Sequence, residues 1–223
     1  MTPSRVLDLC NRWLAPAVLG FYAVGYAVDE PAYRHSLRED KATEWLTFVF
    51  LIAAGVLALG VARRLWASRD RRVWFFVLFG VGSLLSGFEE ISWAQRAFGL
   101  ESPEFFKEGS TTREISAHNV TQDQFDVLTK HIAGVVLFIY GVLLPLAARA
   151  GGVGRFFDRM GFVVPPMNLI GAWVIGAILM FDRPTGEEEE IGELVFSICF
   201  TLFMLGEWLR ARDRRAGSPS HQA

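Results

Sequence analysis

Six stretches of the chain are dominated by apolar residues over helical lengths: 13–28, 45–62, 73–93, 132–148, 166–181 and 191–209. The stretch 45–62 contains no charge at all. Hydrocarbon about 30 Å thick is crossed by about 20 helical residues, each rising about 1.5 Å. Several stretches have fewer than 18 uncharged residues and must recruit Trp, Arg or Glu at their ends to reach the headgroups. The pattern predicts an all-α protein, an integral membrane bundle of about six transmembrane helices. It is read as one domain over residues 1–210, followed by a basic, disordered cytoplasmic tail over 211–223.

Composition sharpens that picture. The chain has 223 residues, 52% of them hydrophobic, with 19 Phe and 7 Trp, which excludes a disordered, collagen-like or disulfide-rich chain. Two cysteines are too few for a CxxC metal site, and a net charge of −2 gives no basis for nucleic-acid binding.

Charge distribution sets an orientation. With the N-terminus inside, the inner segments hold Arg5, Arg12, Arg63, Arg64, Arg69, Arg71, Arg72, Arg149, Arg155, Arg159, Arg210, Arg212, Arg214 and Arg215, which is 14 of the 22 basic residues. The same choice puts every long acidic stretch outside. A bacterial inner (plasma) membrane location with both termini cytoplasmic is the expectation, and no cleavable signal is seen.

The segment 94–131 joins the third and fourth stretches. The third helix is expected to run from Val73 to about Gly99, past the membrane. Ser102-Pro103-Glu104 reads as a helix start, and Phe105 and Phe106 suit a short helix lying on the outer leaflet. Thr121-Gln122-Asp123-Gln124 forms a capping box, so the fourth helix is expected to begin near Gln122. Asp126 and Lys130 make a solvated i,i+4 pair there.

Glu89 and Glu90 follow sixteen uncharged residues, Val73 to Phe88, which puts them just inside the outer edge of the hydrocarbon. Ionisable groups at that depth are costly and usually face protein or a water-filled cavity. Ser83, Ser86, Glu90 and Trp93 recur at helical spacing and predict one polar stripe facing the bundle, with Glu89 rotated about 100° away. The bland reading is that both carboxylates reach the headgroups or pair with Arg96. His131 opens the fourth apolar run, Glu190 and Glu193 open the sixth on one face, and Glu44 closes the first outer loop. Glu90, His131 and Glu193 can converge on one outward-facing pocket, where carboxylate and imidazole donors suit Zn, Fe or Mn. The acidic run 187–190 also has an ordinary role at a helix N-terminus. His118 and Asn119 precede the capping box, with Glu114 four residues earlier, placed to orient the imidazole.

The residues Glu89-Glu90-Ile91-Ser92-Trp93-Ala94-Gln95-Arg96, then Phe98-Gly99, then Glu114-Ile115-Ser116-Ala117-His118-Asn119, resemble a family of uncharacterised bacterial polytopic membrane proteins. That family carries a GEEISWGQR-like motif followed by an E-I-x-x-H-N segment. The chain departs from it at Phe88, Ala94 and Ser116, and the likeness covers about thirty residues. It implies that Glu89, Glu90, Trp93, Gln95, Arg96, Glu114, His118 and Asn119 are motif positions, and it favours His118 over His131 as the partner of Glu90.

Three functions fit. One is an outward-facing membrane enzyme on a lipid or lipid-linked substrate, with Glu90, His118 and Glu89 catalytic. Trp93, Gln95, Arg96 and Asn119 would bind substrate, and Glu90, His118, His131 and Glu193 are candidate ligands for a divalent metal. The second is a cation- or proton-coupled transporter. Against it, no ionisable residue falls in mid-span, and Glu207 can pair with Arg210. The third is a non-catalytic subunit that binds a protein partner of unknown identity through the outer segment. No GxSxG, P-loop, HExxH or GxGxxG pattern is present.

Overall fold

In the computed structural model, residues 3–37, 42–91, 131–181 and 186–216 are described. All regular structure among them is helical. The long elements are α1 (Pro3–Val28), α3 (Ala42–Trp66), α4 (Val73–Glu90), α5 (His131–Ala148) and α8 (Glu189–Ala216). Shorter helices are α2 (Glu30–Leu37), α6 (Gly151–Met160) and α7 (Ile170–Leu179), the last entered through a 3₁₀ turn at Met167–Leu169.

Among the described residues four helices are long and apolar enough to cross a membrane: α3, α4, α5 and residues Glu189–Asp213 of α8. They answer to four of the six predicted stretches. The other two fall short. The helix over Met167–Leu179 is a shorter apolar helix, and α1 begins in the polar sequence around Arg5, Asp8 and Arg12. A bilayer environment accounts for the outer surface. Leu78, Val81 and Leu85 on α4 and Val135, Val136, Ile139 and Leu143 on α5 are all exposed. Such a surface would be a liability in water and suits lipid.

Local chemistry sets the helix ends. Asp29 breaks α1 from α2, its Oδ1 accepting the Ala32 N–H at 3.0 Å while Pro31 fills a first-turn position. Arg69, at φ 52°, turns the α3–α4 hairpin. Beside it, Asp70 grips Arg72 through Nε at 3.0 Å and Nη2 at 2.5 Å, which holds the guanidinium above its ordinary pKa. Gly161, at φ 71°, ends α6, where a Cβ would also lie 2.5 Å from the Arg71 carbonyl oxygen. Helix α6 lies in a basic connection where the hydropathy pattern marks no element. Trp74 Nε1 donates to the Met160 carbonyl at 2.9 Å and ties it down.

Within the bundle α3 packs against both α4 and α8. Gly55 and Gly80 let α3 and α4 approach closely: a Cβ on either would meet the other's carbonyl oxygen at 3.0–3.1 Å. Trp173, Phe76, Phe203 and Met204 are fully buried at the centre. Rings of Phe79 and Phe200 meet edge-on at 5.1 Å, as do Trp173 and Phe200 at 5.2 Å. In α5, residues Ile139–Leu143 form a π-turn in which the Leu144 N–H bonds back to Ile139. Pro145 lacks an N–H for the Gly141 carbonyl, and shifting the register by one residue absorbs that loss.

The described part of the helix from Val73 ends at Glu90, with Ile91 as its C-cap, and the expected continuation to about Gly99 lies outside the described residues. One detail differs from the sequence reading. Helix α8 runs to Ala216, into the stretch read as tail. The interfacial helix after Ser102, the capping box at Thr121 and the helix start near Gln122 lie outside the described residues.

Candidate functional site

The bundle has two chemically distinct ends. At one, Asn11 meets Asn168, Arg71 meets the Arg159 carbonyl, and the Arg64 guanidinium lies 4.4 Å over the Trp208 ring, which gathers the Arg-rich helix ends. Glu207 bonds Arg210 there at 2.6 Å, the pairing that the i,i+3 spacing predicts. At the other, Tyr33 meets Glu188, Tyr22 meets Thr43, and the acidic residues collect.

Glu90 is at the centre of the acidic end. It continues the face of α4 on which Phe76, Gly80, Ser83 and Gly87 are buried, at spacings of four, three, four and three residues. Of the predicted stripe, Ser83 belongs to this buried face, whereas Ser86, about 60° round the helix from it, is exposed. The carboxylates of Glu193, Glu190, Glu44 and Glu89 all act electrostatically on Glu90, Glu193 most strongly. Four of these five side chains come from three helix ends: Glu44 from the first turn of α3, Glu190 from the first turn of α8, and Glu89 and Glu90 from the last turn of α4. Each of Glu44, Glu89, Glu190 and Glu193 has further polar or electrostatic interactions.

Helix dipoles make the arrangement intelligible. An acid in the first turn of a helix is stabilised by the exposed N–H groups, which suits Glu44 and Glu190. Glu89 and Glu90 stand at a C-terminus, where the same dipole opposes negative charge. The N-termini of α3 and α8 converge on them and supply a compensating positive end. An acid kept where its own helix disfavours it is the kind of local conflict that marks functional positions.

A ring of polar contacts surrounds this set. Glu188, only 2% exposed, accepts from the Tyr33 hydroxyl at 3.2 Å and from the Gly186 N–H at 3.0 Å. Tyr22 and Thr43 share a hydrogen bond of 2.7 Å, Thr43 donates to the Ser36 carbonyl at 2.9 Å, and Glu190 acts on Tyr22. Sequence reasoning missed Tyr22, Tyr33, Thr43 and Glu188. Nothing in a run of four glutamates distinguishes the one that turns inward, and the tyrosines sit in segments that read as ordinary span and loop.

The His131 ring tilts against Phe181 with centroids 4.9 Å apart. Trp93, Gln95, Arg96, Glu114, His118 and Asn119 lie outside the described residues. Among the described residues no group of three or more His, Cys, Asp or Glu side chains is arranged to hold a metal ion. No protein-family model matches the chain, and neither a curated protein nor a solved structure matches it.

Proposed function

We propose that this is a multi-pass inner-membrane protein whose outward-facing acidic end is an acid/base site acting on a lipid or lipid-linked substrate. The observation that carries the reading is the convergence of Glu193, Glu190, Glu44 and Glu89 on Glu90 at the end of an apolar helix. Carboxylates within electrostatic reach of one another bias one another's protonation, which equips one of them to deliver a proton and another to receive it. Orientation follows from the separation of the arginine-rich end from the acidic end, with the former cytoplasmic.

His118 is the proposed partner of Glu90, with Glu89 beside them. Trp93, Gln95, Arg96 and Asn119 are proposed to engage the headgroup, the arginine through its planar fork. This assignment draws on the motif resemblance. If the pair binds a divalent metal, Glu90 and His118 are its ligands, with Glu193 adjacent and His131 set apart on Phe181. The gathered carboxylates also support a second reading, a cation-coupled carrier in which Glu90 is the coupling site. Partner binding through segment 92–130 is the non-catalytic alternative.

The test is lipid analysis of cells expressing the full chain, its Glu90→Gln variant, its His118→Ala variant, or none. Wild type should deplete one lipid class and build up another. General acid/base catalysis is worth about 10²–10⁴-fold, so either variant should abolish the change while the protein level holds. Lipid profiles that do not differ between wild type and the empty control would overturn the enzyme reading. Sodium- or proton-driven uptake lost in Glu90→Gln would then establish the carrier.

A further inference from the structure

The opposite, arginine-rich end holds a cavity of about 440 Å³, lined by Gly60, Arg63 and Arg64 of α3 and Trp208 of α8. Every polar side chain in that lining donates hydrogen bonds and none accepts them. Gly60 leaves room beside the indole: a Cβ there would already touch Trp208 Cδ1 at 3.5 Å and Nε1 at 3.6 Å. Among the described residues nothing accepts from the Trp208 N–H, and neither Arg63 nor Arg64 has a carboxylate partner.

The Arg64 guanidinium is held in place by the indole, its centre 4.4 Å over the Trp208 ring. A cation–π contact fixes a guanidinium without using an acceptor, so its fork of N–H groups is left for an anion. The acids nearest in α8 are engaged with other arginines. Glu207 bonds Arg210 at 2.6 Å and Asp213 bonds Arg212 at 3.3 Å, and Arg212 in turn approaches the Trp208 ring at 5.8 Å. Cations in the last turn of a helix also suit its dipole. That explains why arginines stand there, but not a cavity whose donors all lack an acceptor.

The surroundings place the cavity at headgroup depth. Trp66, 70% exposed, ends α3 beside it, and exposed tryptophans collect where hydrocarbon meets headgroups. Val49 and Val56 precede Arg63 on the same face of α3 at intervals of about two turns, and both are exposed. This apolar strip leads from the hydrocarbon to the two guanidiniums.

We propose that this cavity binds the phosphodiester of an anionic phospholipid, the headgroup chemistry of phosphatidylglycerol. Arg63, Arg64 and the Trp208 N–H hold the phosphate, and an acyl chain lies along Val56 and Val49. With two positive charges and no acid in the lining, an ammonium on the headgroup would find no acceptor there and would be repelled. The site is separate from Glu90 and does not depend on the chemistry assigned to that end.

Native mass spectrometry of the full chain in detergent tests it with phosphatidylglycerol, phosphatidylethanolamine and phosphatidylcholine of equal chain length. Phosphatidylglycerol should bind about tenfold or more tightly than the other two. Arg63→Gln and Arg64→Gln should each weaken it about tenfold, the loss expected for a hydrogen bond to a charged group. Trp208→Phe keeps a ring beneath Arg64 and removes only the N–H, so it should weaken binding about fivefold. Arg155→Gln removes the same charge from an exposed position on α6, outside the cavity lining, and should leave binding unchanged. Equal binding of the three lipids would overturn the proposal. So would an Arg155→Gln loss as large as that of Arg63→Gln, because diffuse positive charge would then account for the preference. Free glycerophosphoglycerol competing at equal concentration would overturn the lipid and give the phosphodiester a soluble source.

Discussion

Gly141 sits in the π-turn of α5 with the Trp173 indole against it, and adding one methyl group there measures how tightly α5 and α7 are joined. A Cβ at this position would lie 2.0 Å from Trp173 Cδ2 and 2.2 Å from Cγ. Carbon atoms rest at about 3.5 Å, so the indole would have to retreat by about 1.5 Å. It has nowhere to go. Trp173 is 0% exposed, and its ring is packed by Phe196 at 5.4 Å, Phe200 at 5.2 Å and Tyr140 at 5.8 Å. Overpacking a filled core costs about 1–3 kcal/mol, and a rigid, enclosed ring puts this site at the upper end. Replacing glycine with alanine in a helix returns about 1 kcal/mol, which leaves a net loss of about 2 kcal/mol for Gly141→Ala. For a chain of this length that lowers Tm by about 4–8 °C.

The assay is thermal unfolding of detergent-purified protein followed by size exclusion. Gly171→Ala is the control, since nothing lies within 4 Å of its added carbon; it should be neutral or raise Tm slightly. Trp173→Ala alone should be strongly destabilising, and combined with Gly141→Ala it should cost about 3 kcal/mol less than the sum, because the clash is gone and the helix gain remains. Equal Tm values for Gly141→Ala and Gly171→Ala, or strict additivity with Trp173→Ala, would refute the packing of α5 on α7.

Other consequences are equally open to measurement. Tyr33→Phe keeps the ring contacts with Tyr22 and Tyr26 but removes the donor to Glu188, so it should cost about 1–3 kcal/mol in thermal unfolding. Gly80→Val should separate α3 from α4, because a Cβ there already lies 2.8 Å from Leu59 Cγ. Gly82→Ala has no neighbour within 4 Å and should be tolerated. With Cys10 and Cys199 replaced, single cysteines at Glu30 and Arg155 should label from opposite faces of sealed vesicles; labelling from one face would undo the orientation.

The sequence by itself determined the helices that cover their own backbone in an apolar solvent. Within a bilayer no unpaired N–H or C=O can face lipid, so a long apolar run has to be helical wherever it is placed. The stretches 45–62, 132–148 and 191–209 accordingly fall inside α3, α5 and α8. The stretch 73–93 gives α4 as far as Glu90. Glu90 could be singled out because the cost of an ionisable group at the hydrocarbon edge depends on depth along one helix, which residue counting supplies.

Tertiary structure decided what depends on neighbours. Short helices α2 and α6 arise in polar connections, where caps at Asp29 and Gly161 and the anchoring of Met160 by Trp74 outweigh weak local preference. Ser83 and Ser86 have the same side chain, and only packing against α3 says which one turns inward. Glu193 and Glu90 are far apart in sequence, and the packing of α4 and α8 on α3 brings them within electrostatic reach, while the His131 ring lies against Phe181. Hydropathy is a sum over one segment, so it fixes elements. A site is a relation between segments, and the close approaches at Gly55, Gly80 and Gly141 create it only once the helices have packed.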